Sequence, residues 1–343
     1  MKRIRLHNTV FEGANNVYVL DGATTTLVDA GVATDDTRAD LRDGLADFGL
    51  TFGDVDQILL THWHYDHTGL AGEIQAESGA TVRVHEADAG LVAGDHEALA
   101  EERERREACF DEWGIPEGPL AELTDFLGHH EALAGADVDV TPFEDGERVP
   151  VGDHEVETLH LPGHAGGLSA FVFDADGGVA DTAEAEVGDL AGEEAFVGDA
   201  ILPKYTPNVG GADVRLDDPL GDYVDSLTRL IDRDLTRAWP GHRDPIEDPS
   251  ARAATILDHH RERTERVLGV LREYGPSDAW TVSAHLFGDL ENIHILHGPG
   301  EAWAHLNHLE RHGVVTRDDD WNYELRDADA DAADLFPSVE RST

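Results

Sequence analysis

Four side chains able to bind metal stand within six residues of one another: His62, His64, Asp66 and His67, in Thr61-His62-Trp63-His64-Tyr65-Asp66-His67-Thr68-Gly69. Extended backbone would turn residues 62, 64 and 66 to one side and residue 67 to the other. Neighbouring residues that diverge do not readily share one ion. The spacing therefore suits two metals, with His62 and His64 on one and Asp66 and His67 on the other. Imidazole and carboxylate without thiolate favour zinc, with iron or manganese as alternatives. The apolar run from Val55 to Leu60 reads as a buried strand before the cluster, and Gly69 to Ser78 reads as the helix after it. The ligands are thus expected on a strand-to-helix loop, where a rigid frame commonly carries chemistry.

Three distant segments supply what such a site lacks. Leu161-Pro162-Gly163-His164, after the strand-like Val156 to Leu161, offers a third imidazole for the first metal. Phe196-Val197-Gly198-Asp199 ends an apolar run with a carboxylate able to bridge both ions, and Ala238-Trp239-Pro240-Gly241-His242 ends another with an imidazole for the second metal. In order and context these motifs resemble the metallo-beta-lactamase superfamily, whose first motif is matched by Leu27-Val28-Asp29-Ala30-Gly31. The resemblance implies that His62, His64 and His164 bind the first metal, that Asp66, His67 and His242 bind the second, and that Asp199 bridges them. Asp29 would orient the ligand loop without touching metal. The fold implied is α/β, a four-layer αβ/βα sandwich with both metals in the cleft between two mixed sheets.

Around this core the chain carries more. Residues 96–134 read as two helices, Glu97 to Trp113 and Leu120 to Ala134, expected as a helical cap over the cleft. Asp174 to Glu194, rich in Gly, Ala, Asp and Glu, reads as an extended acidic hairpin loop without chemistry. A long helix, Pro249 to Tyr274, leads to Gly275-Pro276, the expected end of a hydrolase domain at residues 1–274. Helices at Ser277 to Phe287 and Glu301 to His312, then a hairpin through Val314 and Trp321 to Leu325, make a small winged-helix-like module over residues 275–326. Glu301 to His312 holds only Arg311 against Glu301 and Glu310, too little positive charge for reading DNA, so packing or homodimerisation is the expected role. Residues 327–343 form an acidic tail, of which Asp327 to Asp334 reads as disordered.

Two cations would generate hydroxide at neutral pH and polarise a carbonyl. The chemistry expected is hydrolysis of a thioester or ester by a metal-bridging hydroxide, with Asp66 orienting it. The bridged His and carboxylate set resembles the glyoxalase-II-like branch, with a small-molecule substrate. The alternatives are a lactonase and an endoribonuclease acting on single-stranded RNA. Nucleic acid is disfavoured because basic stripes and clustered aromatics are absent.

The formal charge of −47, from 25 basic and 72 acidic residues, with Lys2 and Lys204 the only lysines, resembles proteins of salt-saturated cytoplasm. At ~1 M salt the Debye length is about 3 Å, and self-repulsion on this scale is screened. With 40% hydrophobic residues the chain can bury a sizeable core. Cys109 is the only cysteine and reads as a packed side chain. The first residues lack the apolar core of a signal peptide and no apolar run would span a bilayer, so a cytoplasmic protein is expected. Lys204, five residues after Asp199 in a chain that otherwise avoids lysine, is a candidate for holding an anionic substrate group.

Overall fold

The computed structural model describes residues 1–8, 13–175 and 192–338. Most of the expected acidic hairpin loop, residues 176–191, and the chain end from residue 339 lie outside the described residues.

Two mixed sheets form the centre. The first runs in chain order through β1 (Lys2–Leu6), β2 (Asn15–Leu20), β3 (Thr26–Val28), β4 (Gln57–Leu59), β5 (Thr81–His85) and β6 (Val140–Phe143). Its first three strands pair antiparallel and its last four parallel. The second comprises β7 (Arg148–Val151), β8 (His154–His160), β9 (Ser169–Asp174), β10 (Glu193–Gly198) and β11 (Arg237–Pro240), with β11 parallel to β10 and the rest antiparallel. The helices are α1 (Asp35–Ala46), α2 (Tyr65–Thr68), α3 (Ala71–Ser78), α4 (Glu86–Val92), α5 (His96–Glu112), α6 (Glu117–His130), α7 (Pro219–Arg233), α8 (Pro249–Tyr274), α9 (Ala279–Phe287) and α10 (His294–Arg311). A short hairpin of β12 (Val315–Arg317) and β13 (Tyr323–Leu325) follows.

Layering follows from which faces are apolar. Tyr18, Val28, Leu59 and Phe143 of the first sheet meet Val149, Phe171, Phe196 and Trp239 of the second in one buried cluster. The outer face of the first sheet packs Val17 and Ile58 against Leu41, Leu45 and Ile74 of α1 and α3. That of the second packs Ala170 and Val197 against Leu220, Leu227 and Ile256 of α7 and α8. Strands covered on both faces read as near-continuous apolar runs, as in β2 and β4. Helices α7 and α8 start alike, with an Asp cap (Asp218, Asp248) followed by Pro at the first helical position.

A fourth cluster joins Cys109, Trp113 and Leu123 of the region around α5 and α6 to Val267 and Leu271 of α8, Val282 of α9, Ile295, Trp303 and Leu306 of α10, and Tyr323 of β13. The two expected cap helices therefore pack against the C-terminal helices. Burial pushes the Cys109 thiol up to about 12, leaving it an inert packed group.

Three local expectations are corrected. The strand ends at Leu59, residues 61–63 bend, and His64 stands at the N-cap of α2, so Asp66 and His67 come from a helical turn and not from a strand-like 62, 64, 66 series. Helix α10 begins at His294, seven residues before the expected Glu301, and runs through Pro299. The disorder expected for Asp327 to Asp334 does not hold. In that stretch and just beyond it Arg272 donates to the Ala328 and Ala330 carbonyls, Ala332 and Phe336 are buried, and Phe336 lies against His308.

Candidate metal centre

The site lies at strand ends. β3 leads into Asp29 and β4 into Thr61 to His64, side by side because the two strands are parallel. β10 and β11, also parallel, deliver Asp199 and His242 to one edge of the second sheet. His164 follows β8. All seven expected ligands come together in three overlapping groups whose donor atoms lie within 4.8 Å of one another: His62, His64 and His164; His62, His67 and Asp199; Asp66, His67 and His242. His164 Nε2 and His242 Nε2 stand 3.9 and 3.5 Å from Asp199 Oδ2, and His67 Nε2 is 3.7 Å from Asp199 Oδ1. Asp199 thus touches both sets.

Each imidazole is tethered by the nitrogen that faces away from the centre. Nδ1 of His62 meets the Thr61 hydroxyl at 3.0 Å, Nε2 of His64 the Ala212 carbonyl at 3.0 Å, and Nδ1 of His164 the Asn208 carbonyl at 2.8 Å. Nδ1 of His67 meets Asp29 at 2.8 Å, and Nδ1 of His242 the Ala14 carbonyl at 3.3 Å. An outer acceptor fixes the tautomer and leaves the inner nitrogen a bare lone pair, as metal-binding histidines require. Asp29 also accepts from the Thr61 amide and hydroxyl, at 2.8 and 3.0 Å. Asp29 itself adopts φ 62°, a left-handed conformation that Asp tolerates better than most residues.

In the first set His62 Nε2 and His64 Nδ1 lie 2.9 Å apart and face each other, while three other inner atoms are left without hydrogen bonds. Buried His67 Nε2, His242 Nε2 and Asp199 Oδ1 make none. Such orphans are costly inside a protein unless something else satisfies them, and a divalent cation would. The residues present thus fit a pair of metal ions on nitrogen and oxygen donors. The electrostatics divide the two sets: His62 and His64 of the first are neutral, whereas in the second burial disfavours charge on His67 but Asp66, Asp29 and Asp199 raise it well above its ordinary pKa, so a second metal would displace protons. Burial and the surrounding imidazoles hold His62 well below its ordinary pKa, and burial with His164 brings His64 down to about 4, so both present neutral nitrogen. Burial opposes charge on Asp66 and Asp199 too, but His67 and His242 outweigh it, and both carboxyls lie well below the usual carboxylate range. Burial likewise disfavours charge on His242, yet Asp199 and Asp66 raise it to about 8.

Sequence reasoning missed the supports. Asp88 and Asp213, both fully buried, flank Arg215, which donates to them at 2.7 and 2.5 Å. Asp88 also receives the Trp63 and Gly167 amides, and Asp213 the Gly166 amide and the Trp63 indole. This buried triad ties the loops carrying His62, His64 and His164 to the loop after Asn208. Asn15 donates to Asp66 at 3.2 Å. Asn208 donates to the His297 carbonyl and Glu301 of α10, at 3.1 and 3.0 Å, and Arg263 pairs with Glu301. Gly210 and Gly211 were the available signal, since a Cβ on either would collide with the backbone of α10. Lys204 is exposed, its ammonium 5.2 Å from the Tyr205 ring.

Comparison with known proteins agrees with this geometry. The sequence profile described as Metallo-beta-lactamase superfamily matches residues 10–180. A crystal structure of a metallo-beta-lactamase family protein from Thermus thermophilus is 31% identical, with a TM-score of 0.76 over 95% of this chain and 98% of that one. A probable metallo-hydrolase of Bacillus subtilis is 26% identical over 300 residues, covering 88% of this chain and 89% of its own. An atrochrysone carboxyl ACP thioesterase of Passalora fulva is 22% identical over 264 residues, 77% of this chain and 58% of that protein.

Proposed function

The chain belongs to the metallo-beta-lactamase superfamily, and on that premise we propose that it hydrolyses a thioester or ester with two metal ions, zinc by preference. His62, His64 and His164 would hold one, Asp66, His67 and His242 the other, and Asp199 both. The observation that carries this reading is the convergence of all seven side chains, with three buried ligand atoms, His67 Nε2, His242 Nε2 and Asp199 Oδ1, making no hydrogen bond. When bound, the metals would polarise a scissile carbonyl and lower the pKa of an attacking water.

The chain's own residues supply the rest. Asp66, kept ionised and held by Asn15, orients the attacking water. Water oxygen bonds to the acyl carbon, the carbon–sulfur or carbon–oxygen bond breaks, and the leaving thiol or alcohol takes up the proton. Asp29, Thr61, Asn208 and Ala212 keep the imidazoles aimed. The thioesterase named among the relatives supports a thioester, and a glyoxalase-II-like branch with a winged-helix-like appendage is part of the proposal.

The test is thiol release from a panel of glutathione and coenzyme A thioesters at molar KCl with added Zn²⁺. Turnover should require metal and fall at least about a hundredfold in Asp199→Ala, the scale of losing one electrostatic stabiliser. A silent panel from metal-loaded protein would sink the thioester reading and bring lactones, then single-stranded RNA, to the front.

A further inference from the structure

Among the described residues two large hydrophobic side chains are exposed, Tyr205 at 44% and Tyr274 at 54%. Tyr274 stacks on His285. Tyr205 has three cations around it. The Arg243 guanidinium lies 4.5 Å from the ring centroid and the Lys204 ammonium 5.2 Å, while Arg252 donates to the Leu202 and Tyr205 carbonyls at 2.5 and 2.7 Å. Within the described residues none of the three has a carboxylate partner. Burial lowers the Arg252 pKa from its ordinary value.

The clustering is what sets them apart. With 72 acidic residues for 25 basic ones most cations meet a carboxylate, as Arg38, Arg42, Arg215, Arg233 and Arg263 do, and others that do not among the described residues, such as Lys2 over Phe48 and Arg266 on the Leu286 carbonyl, stand singly. Keeping three together without one among the described residues concentrates positive potential against the field of the whole molecule. Backbone geometry maintains the arrangement. Arg243 has φ 68°, uncommon for a long side chain and held by the Asn16 amide, which donates to its carbonyl at 2.8 Å. The residue before it, His242, points inward with Nε2 3.3 Å from Asp66. The cationic group therefore begins one residue from the metal centre.

We propose that Lys204, Tyr205, Arg243 and Arg252 form a subsite for an anionic group of the substrate, a carboxylate or a phosphate, carried away from the scissile carbonyl. This rests on the hydrolase reading above. Lys204 supplies a mobile point charge and Arg243 a planar fork; Arg252, its donors engaged by backbone, contributes field. The Tyr205 ring attracts both outer cations without neutralising them. The substrate class is then an acyl thioester or ester whose leaving part or acyl tail is acidic.

The test uses the zinc-loaded full chain and one acyl group on four thiols: pantetheine and N-acetylcysteamine, both neutral, 3-mercaptopropionate and pantetheine 4′-phosphate. The anionic members should be preferred in kcat/KM. In Lys204→Gln/Arg243→Gln that preference should fall about tenfold or more, through KM, the scale of lost charged hydrogen bonds. Lys204→Arg should retain it. The two anionic arms separate carboxylate from phosphate, and metal stoichiometry verifies that each variant keeps its centre. A preference unchanged in the double variant overturns the subsite, as does turnover that ignores substrate charge, while leaving the hydrolase reading intact. Binding of pantetheine 4′-phosphate against pantetheine, measured by calorimetry, needs no turnover. Phosphate-dependent binding lost in the double variant supports the subsite even if no thioester is cleaved; its absence, with no preference in turnover, overturns it.

Discussion

Asn208 and Glu301 stand 3.0 Å apart, amide to carboxylate, and through that bond helix α10 reaches the metal centre. The Asn208 carbonyl orients His164, and four residues on the Ala212 carbonyl orients His64. Glu301→Ala would leave Asn208 held to α10 by the His297 carbonyl alone and Arg263 without its carboxylate. Loss of such an outer support typically costs 10- to 100-fold in metal affinity. The loss should fall on the first metal while the second binds as before, read by Co²⁺ titration of the two absorption bands. Equal weakening of both would remove the link.

Asp29 should show the opposite selectivity. Its carboxylate collects the His67 ring and both donors of Thr61, so Asp29→Ala should loosen the second metal by about 10- to 100-fold and the ligand loop with it. Asp29→Asn, which tolerates the left-handed backbone and keeps an oxygen, should lose less. Identical metal affinities for the two variants would contradict the assignment.

Arg215→Met leaves Asp88 and Asp213 buried side by side. Breaking a buried ion pair in this way costs roughly 3–5 kcal/mol. Denaturant unfolding of the metal-loaded protein should show a loss of that order, and a midpoint within experimental error of the parent would refute it.

His260 and His305 lie buried together, 3.4 Å apart between Nδ1 and Nε2, and burial holds both well below the ordinary histidine pKa. The unfolded chain therefore takes up protons first as pH falls through about 6.5. The stability these neutral rings contribute is fully present above that pH and is lost progressively on acidification. His260→Gln/His305→Gln should unfold with a shallower dependence between pH 8 and 5. Subtracting the two curves cancels the metal ligands, and parallel curves would exclude the pair as an acid-sensitive element.

Removing salt should destabilise the molecule. At 0.01 M the Debye length is about 30 Å, against about 3 Å at 1 M, and a formal charge of −47 then repels itself across the whole fold. The melting temperature should fall on dialysis from molar to millimolar KCl; a flat response would show that local ion pairing absorbs the repulsion.

Much of the centre was legible because its signals are local. His62 to His67 are adjacent in sequence, and Asp199 and His242 follow apolar strands with a Gly before each. The geometry was less so. That Asp66 and His67 occupy a helical turn depends on His64 acting as its cap, which spacing does not reveal. Asn208 and Ala212 act through backbone carbonyls, to which any residue type is indifferent. Asp88, Asp213 and Arg215 resemble the many other charges of an acidic chain until folding buries them. The helix expected from Glu301 in fact takes in Gly298-Pro299-Gly300, which lies inside α10.

Where the loop after Asn208 meets α10, side chains are missing on both sides: Gly210 and Gly211 face Gly300, and a Cβ at any of the three would strike main chain opposite. For anyone recombining this chain with a relative, the seam sets the rule of exchange. The ligand-orienting loop and the C-terminal helix must be transplanted as a matched pair, because a helix carrying so much as an alanine at position 300 cannot seat against this loop, however well its other contacts are redesigned.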